Sequence, residues 1–227
     1  MFYSPNQAYS SIEEDPSLSF KAIHEGYAEV INELIKDKKL DINTVDDAGN
    51  SIMMRLLKAR EYEIVLNNLS NVKWNINHQN LDGNTFCHIL TTHNDYHSLE
   101  IMKKLKRKKK YNRNIMNNKD ETILDIAINN KSLLLISSIL KDKSFNNINI
   151  ISFKKMYDYF INNSSYGSYT KVDNFKLIID NLDSKELLPR MEIMLDLIKA
   201  NRNSIIYELK NNDNNILRNI VNSVMND

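Results

Sequence analysis

Four segments of this chain repeat one pattern. Ser17, Ser51, Thr85 and Thr122 each open a stretch that reads small polar residue, apolar run, break, then a second apolar run. Their spacings are 34, 34 and 37 residues. A period of this length marks stacked two-helix units, because one such unit cannot bury its apolar stripe alone and needs neighbours to cover it. The repeat therefore predicts an all-α stack of similar units in place of a single globular core.

Composition agrees with that expectation. A chain of 227 residues with 42% hydrophobic content can bury one continuous stack. Four glycines and three prolines suit helices joined by short turns. Thirty basic against 29 acidic residues leave a net charge of +1, so no global field draws the molecule onto nucleic acid or an anionic membrane. The one cysteine, Cys87, excludes an internal disulfide framework and a multi-cysteine zinc site, and fits a reducing compartment. There is no run of about 18 apolar residues and no basic-then-apolar leader, so the expectation is a soluble, intracellular protein. The 34 asparagines, with abundant Lys and Ile, read as the codon bias of an AT-rich genome such as that of a large DNA virus, yeast or protist.

Along the chain, residues 1–15 are polar and aperiodic and read as a flexible lead. Pro16 and Ser17 start the first helix, with Pro where its missing N–H costs least. Gly26 falls where the chain reverses, and Val30, Ile31, Leu34 and Ile35 form one apolar stripe beyond it. The second copy runs from Asp46 through Leu57, with Ile64, Val65 and Leu69 on its outer helix. The third places Leu99, Ile101, Met102 and Leu105 there, and the fourth Leu135, Ile136, Ile139 and Leu140. Beyond residue 146 helical periodicity persists without the turn signature, as in Phe153, Met156, Tyr157 and Phe160. Residues 146–227 read as degenerate repeats and a helical cap.

The clearest copy, Asp82-Gly83-Asn84-Thr85-Phe86-Cys87-His88-Ile89-Leu90, resembles the ankyrin signature, in which a hairpin turn ends in Gly-x-Thr-Pro-Leu-His-x-Ala-Ala. Ser19 to Ile35 is similar to an ankyrin helix pair. The resemblance implies an ankyrin-repeat solenoid with four repeats over residues 16–145. It also implies that the Thr hydroxyl caps the inner helix and that the His imidazole bonds across to the neighbouring turn. Thr85 and His88 match both positions, and Ser17, Ser51 and Thr122 keep the cap hydroxyl, worth roughly 1 kcal/mol each. Met54 and Asp125 replace the histidine, and Asp120 stands at the turn glycine. The third copy, with a lengthened turn before Leu99 and a step of 37 residues to the next, is also similar to the first repeat of inhibitors of NF-kappaB and of viral ankyrin proteins that mimic them.

What the resemblance implies for function is a non-enzymatic module that grips a partner protein through its concave face, with modulation of host signalling as the viral version. Ligand-facing positions carried over are Asp47, Ala48, Asn50, Arg55 and Lys58 in the second copy. In the third they are Leu81, Asp82, Asn84, Ile89, Thr92 and His93. In the fourth they are Asn118, Lys119, Glu121 and Asn129. Their mixed, largely uncharged character suits a protein ligand, and the expectation is a cytoplasmic monomer without cofactor.

Three other features compete with this reading. His93 and His97 are four apart with Asp95 between, a spacing that can set two imidazoles on one helical face for a metal; the plainer reading is polar solvation of a turn. Lys103, Lys104, Lys106, Arg107, Lys108, Lys109 and Lys110 form a basic run that reads either as the solvated C-terminal end of an outer helix or as a nuclear-import or phosphate-binding patch. That patch carries the alternative function, a nuclear or nucleic-acid-associated factor. No phosphate loop, nucleophile elbow or Cys₂His₂ spacing supports an enzyme. Cys87 sits at a core position and Trp74 reads as a packing residue.

Overall fold

The computed structural model describes residues 1–140 apart from Asn94, together with Asp142. These residues form nine α-helices: α1 Pro5–Glu14, α2 Leu18–His24, α3 Ala28–Lys36, α4 Ile52–Lys58, α5 Tyr62–Asn68, α6 Phe86–Leu90, α7 Tyr96–Leu105, α8 Ile123–Asn129 and α9 Leu133–Leu140. Extended pairing among the described residues is limited to two antiparallel bridges, Val45 with Ser51 and Gln79 with Thr85. The fold is all-α. The chain divides into two compact units, Met1–Leu135 and Ile136–Asp227. Residues 146–227, expected to hold degenerate repeats and a cap, lie outside the described residues.

Within the first unit the helices pack in chain order. α2 pairs with α3, α4 with α5 and α6 with α7, while α2 lies on α4, α4 on α6 and α6 on α8. The apolar stripes explain these neighbours: Val30, Ile31, Leu34 and Ile35 on α3, and Ile64 and Val65 on α5, are all buried. So are Leu56 and Leu57, Phe86 and Leu90, and Leu124 and Ala127 on the inner helices. Apolar residues at helical spacing lose water-exposed area only when the next pair covers them. Trp74 packs edge-on against Phe86 at 5.1 Å between ring centres, as expected of a packing residue.

The reversal recurs in detail inside three of the pairs, α2–α3, α4–α5 and α8–α9. Gly26, Arg60 and Lys131 occupy equivalent positions with φ of 86°, 63° and 55°. The next N–H closes the same bond in each: Tyr27 to Ala22 O at 2.8 Å, Glu61 to Leu56 O at 2.9 Å, Ser132 to Ala127 O at 3.0 Å. Only the first of the three is marked by glycine; for Arg60 and Lys131 the left-handed backbone costs on the order of 1 kcal/mol, and the repeated carbonyl closure offsets it.

Three expectations need correction. The lead is not a flexible tail. Residues 5–14 form α1, capped by Ser4 Oγ, which accepts the Gln7 N–H at 3.2 Å, and started by Pro5. Ala8 and Ile12 are fully buried and α1 packs on α2 and α3. Phe2 N–H donates to Glu25 Oε2 at 2.8 Å and the Tyr27 hydroxyl donates to Phe2 O at 3.1 Å, fastening the start of the chain to the first reversal. Secondly, Ser17 is not a cap: it is already helical at φ −64°, and its N–H and hydroxyl both donate to Asp15 Oδ1, at 3.0 and 2.7 Å. The Leu18 N–H is met by the Asp15 backbone carbonyl at 3.1 Å. Finally, the turn before Leu99 is not lengthened. α3, α5 and α7 begin at Ala28, Tyr62 and Tyr96, in steps of 34; the extra residues lie beyond, α7 running ten residues against seven in α5.

Candidate functional site

Three turns between the helix pairs share one architecture, built on an aspartate in the first and an asparagine in the other two. Residues 46–51, 80–85 and 117–122 each fold back so that the first N–H donates to the fifth carbonyl: Asp46 to Asn50, Asn80 to Asn84 and Asn117 to Glu121, all at 3.0 Å. The first residue's side-chain Oδ1 then accepts two further N–H groups. Asp46 takes those of Ala48 and Asn50, Asn80 those of Asp82 and Asn84, and Asn117 those of Lys119 and Glu121, at 2.8 to 3.1 Å. A short side-chain carbonyl bonding its own backbone holds a tight turn at low entropic cost.

The turns are also bonded to one another. Asn80 Nδ2 donates to Asn50 Oδ1 at 2.9 Å, and Asn117 Nδ2 repeats this on Asn84 Oδ1 at 3.0 Å. Leu81 N–H reaches Ala48 O at 3.1 Å, and Asn118 N–H reaches Asp82 O at 3.0 Å. A second ladder runs beside the first. Asn43 donates to Lys73 O at 2.8 Å and accepts the Asn75 N–H at 2.8 Å; Asn77 does the same with Lys110 O and the Asn112 N–H, at 2.7 and 2.9 Å. Asparagine alone among small side chains pairs a donor with an acceptor in one plane, so it can satisfy an N–H and a carbonyl of the next unit together. The excess of asparagine therefore carries structure, not only codon bias.

The caps follow the turns. Thr85 Oγ1 accepts the His88 N–H at 3.4 Å while His88 Nδ1 accepts the Thr85 N–H at 3.1 Å, and Thr122 with Asp125 builds the same box. Ser51 caps α4 through the Met54 N–H at 3.4 Å. His88 Nε2 lies 3.1 Å from Glu121 O in the following turn, which assigns the proton to Nε2 and leaves Nδ1 to accept. Burial holds the imidazole below its usual pKa and so keeps it neutral, partly countered by the Glu121 carbonyl. Cys87 is fully buried and its thiol is pushed up to about 12, as a core residue and not a nucleophile requires.

Most of the ligand-facing positions expected from the sequence are accessible on this framework. Asp47, Ala48, Lys58, Leu81, Asp82, Thr92, Asn118, Lys119 and Asn129 are exposed, and Arg55, Asn84, His93 and Glu121 are half-buried. Two are not. Asn50 is 2% exposed, spent on Asp46, Lys58 and Asn80, and Ile89 is 6% exposed in the core. Two exposed apolar residues escaped notice: Val45 and Met116 sit at the equivalent position just before their turns, at 46% and 42% exposure, and Leu81 reaches 71% on the turn between them. Their signal was available in the register of the repeat.

Two polar clusters flank the row. Arg55 pairs with Asp46, and Lys58 Nζ donates to Asn50 Oδ1 at 2.9 Å. Burial would raise the Asp46 carboxyl, but bonds from Asn50 and Arg55 prevail and lower it. Burial, then the Arg55 charge, lower the Lys58 ammonium. At the reversal between α4 and α5, the Tyr62 hydroxyl bonds Asp95 and His93 Nδ1, and its ring stacks on His97 at 5.0 Å. Burial and then Asp95 push the phenol up to about 12; burial and Arg60 hold His93 down. His93 and His97 thus close a turn around Tyr62, and no group of three His, Cys, Asp or Glu suited to a metal occurs among the described residues.

In the basic run, Lys103 and Lys104 end α7, where Lys104 pairs with Glu100 at 3.0 Å, and residues 106–110 continue into the following turn. No helix among the described residues is long and apolar enough to cross a membrane. No known protein family matches the chain, and no curated protein is detectably similar to it.

Proposed function

We propose that this chain is a non-enzymatic ankyrin-type repeat protein that binds a partner polypeptide along its turn row and the adjoining inner helices. What carries the reading is the contrast between a locked backbone and unlocked apolar side chains. Three successive turns are fixed by their asparagine bonds, yet Val45, Leu81 and Met116 remain solvent-exposed along them. Apolar side chains on a rigid frame gain binding energy without paying an ordering cost at association. Asp47, Asp82 and Lys119 beside them supply a mixed polar rim, which suits a protein ligand better than a polyanion.

The test is affinity capture from the native cell with the wild-type chain and with a Leu81→Glu, Met116→Glu double variant. A partner held by the wild type and lost roughly tenfold from the variant, at an unchanged melting temperature, is expected. Equal retention by both overturns the assignment of the surface.

A further inference from the structure

We infer that a second surface, lined by lysines and built from the segments that follow α3, α5 and α7, receives an acidic polypeptide segment carrying a bulky apolar residue. It shares no residue with the turn row or with the inner-helix positions. Two clefts, of about 530 and 220 Å³, share Ser70, Asn71 and Val72 in their walls. Seven lysines and a single carboxylate, Asp41, line the pair. Asp41 is engaged by the N–H and side chain of Asn43, at 2.9 and 3.1 Å, and among the lysines Lys39 pairs with Glu13 at 3.1 Å. Lys73 and the stretch 108–110 leave a strongly positive rim, although the molecule as a whole is nearly neutral.

Charge complementarity selects an anionic partner, and the walls decide which kind. Val72 stands at the junction of the two clefts with 89% of its surface exposed, while Trp74 and Ile76 lie buried in the smaller one. A cavity of about 220 Å³ is too small for a drug-sized ligand, which fills about 300 to 1,000 Å³, but suits one apolar side chain. Single-stranded nucleic acid needs an aromatic face open to a base. Trp74, the aromatic residue lining the clefts, is 7% exposed and turned edge-on to Phe86, so it offers none. Carboxylates on the lysine rim with a leucine-like side chain against Val72 satisfy both features at once.

The experiment is fluorescence anisotropy of the full chain with a short labelled peptide of alternating Glu and Leu, with polyglutamate and a single-stranded oligonucleotide as competitors. The Glu/Leu peptide is expected to bind more tightly than polyglutamate, to weaken roughly tenfold with Lys108→Glu, Lys109→Glu, Lys110→Glu together, and to weaken several-fold with Val72→Asp. Lys73→Glu, a single exposed change, gives the same direction if the triple variant melts early. Leu81→Glu on the turn row should leave the peptide affinity unchanged, which separates this surface from the first. The inference is overturned if charge reversal and Val72→Asp leave binding unaltered, or if the oligonucleotide competes as well as the acidic peptide or better.

Discussion

The turn at 80–88 and the turn at 117–125 have the same backbone bonds and the same threonine box, yet their sequences differ, and two of the differences fall at the repeat's turn-glycine and histidine positions. Where the first has Gly83 and His88, the second has Asp120 and Asp125. Gly83 and Asp120 adopt similar backbones, φ 74° and 56°, so the left-handed geometry by itself does not demand glycine. What demands it is the neighbour. A Cβ on Gly83 would collide with Asn118 Oδ1 and stand 2.6 Å from Asn118 N, because the next turn lies directly against it. His88 likewise donates to Glu121 O of the following unit, a role closed to an ionised carboxylate, which only accepts. The difference teaches which of the repeat's residues serve their own turn and which serve the junction.

The comparison can be broken most sharply at the glycine. Gly83→Ala is expected to cost about 2 to 4 kcal/mol in urea unfolding followed by circular dichroism, whereas Asp120→Gly should change stability by less than about 1 kcal/mol. Equal effects would mean that φ, not the approach of Asn118, sets the requirement. Next comes the imidazole. His88→Ala should cost about 1 to 3 kcal/mol, since it strands the buried Thr85 N–H and leaves the Glu121 carbonyl with the Asn117 N–H alone.

Acid titration sharpens the same point. Burial depresses the folded pKa of His88 below its ordinary 6.5, so the unfolded chain binds the proton more readily. Stability should therefore fall as pH drops through 6.5, and that loss should level off beneath the folded value. His93 contributes with the same sign, so His88→Gln should diminish the slope in this window without abolishing it. Asp46 and Asp95, both held below their ordinary 3.8, add their loss only at lower pH, as acid protonates them. A midpoint that is flat from pH 7 to 5 would exclude the neutral imidazole.

The smallest effects concern the caps. Thr85→Ala and Thr122→Ala should each cost about 1 kcal/mol, the two boxes being alike, while Ser17→Ala should cost less than about 0.5 kcal/mol because its hydroxyl reaches only Asp15. Thermal melts of the three variants side by side decide it.

Much of this was legible in the residues. The period placed Ser51, Thr85 and Thr122 at helix starts, and the apolar pairs at helical spacing marked the buried stripes. The cross-turn bond of His88 was implied by the resemblance of its Gly-x-Thr-x-x-His copy to the ankyrin signature. The rest failed for physical reasons that differ from residue to residue. α1 hides because only Ala8 and Ile12 are buried on it, too few to make a stripe, though Ser4-Pro5 was a start signal. Arg60 and Lys131 carry no local mark of positive φ; only their alignment with Gly26 reveals it. Asn50 looked like a tip residue until its partners showed both ends of its amide spent. The smaller cleft beside Val72 joins segments more than 30 residues apart, a proximity that no single unit spells out.

The amide clamps at Asn43 and Asn77 have a consequence for how the molecule assembles. Each is completed only by carbonyl and N–H groups that the succeeding unit brings. A half-built chain would thus keep its newest border hydrated and unsettled until more polypeptide arrives, so order should advance as a front, one rung at a time, and fray from its most recent rung first.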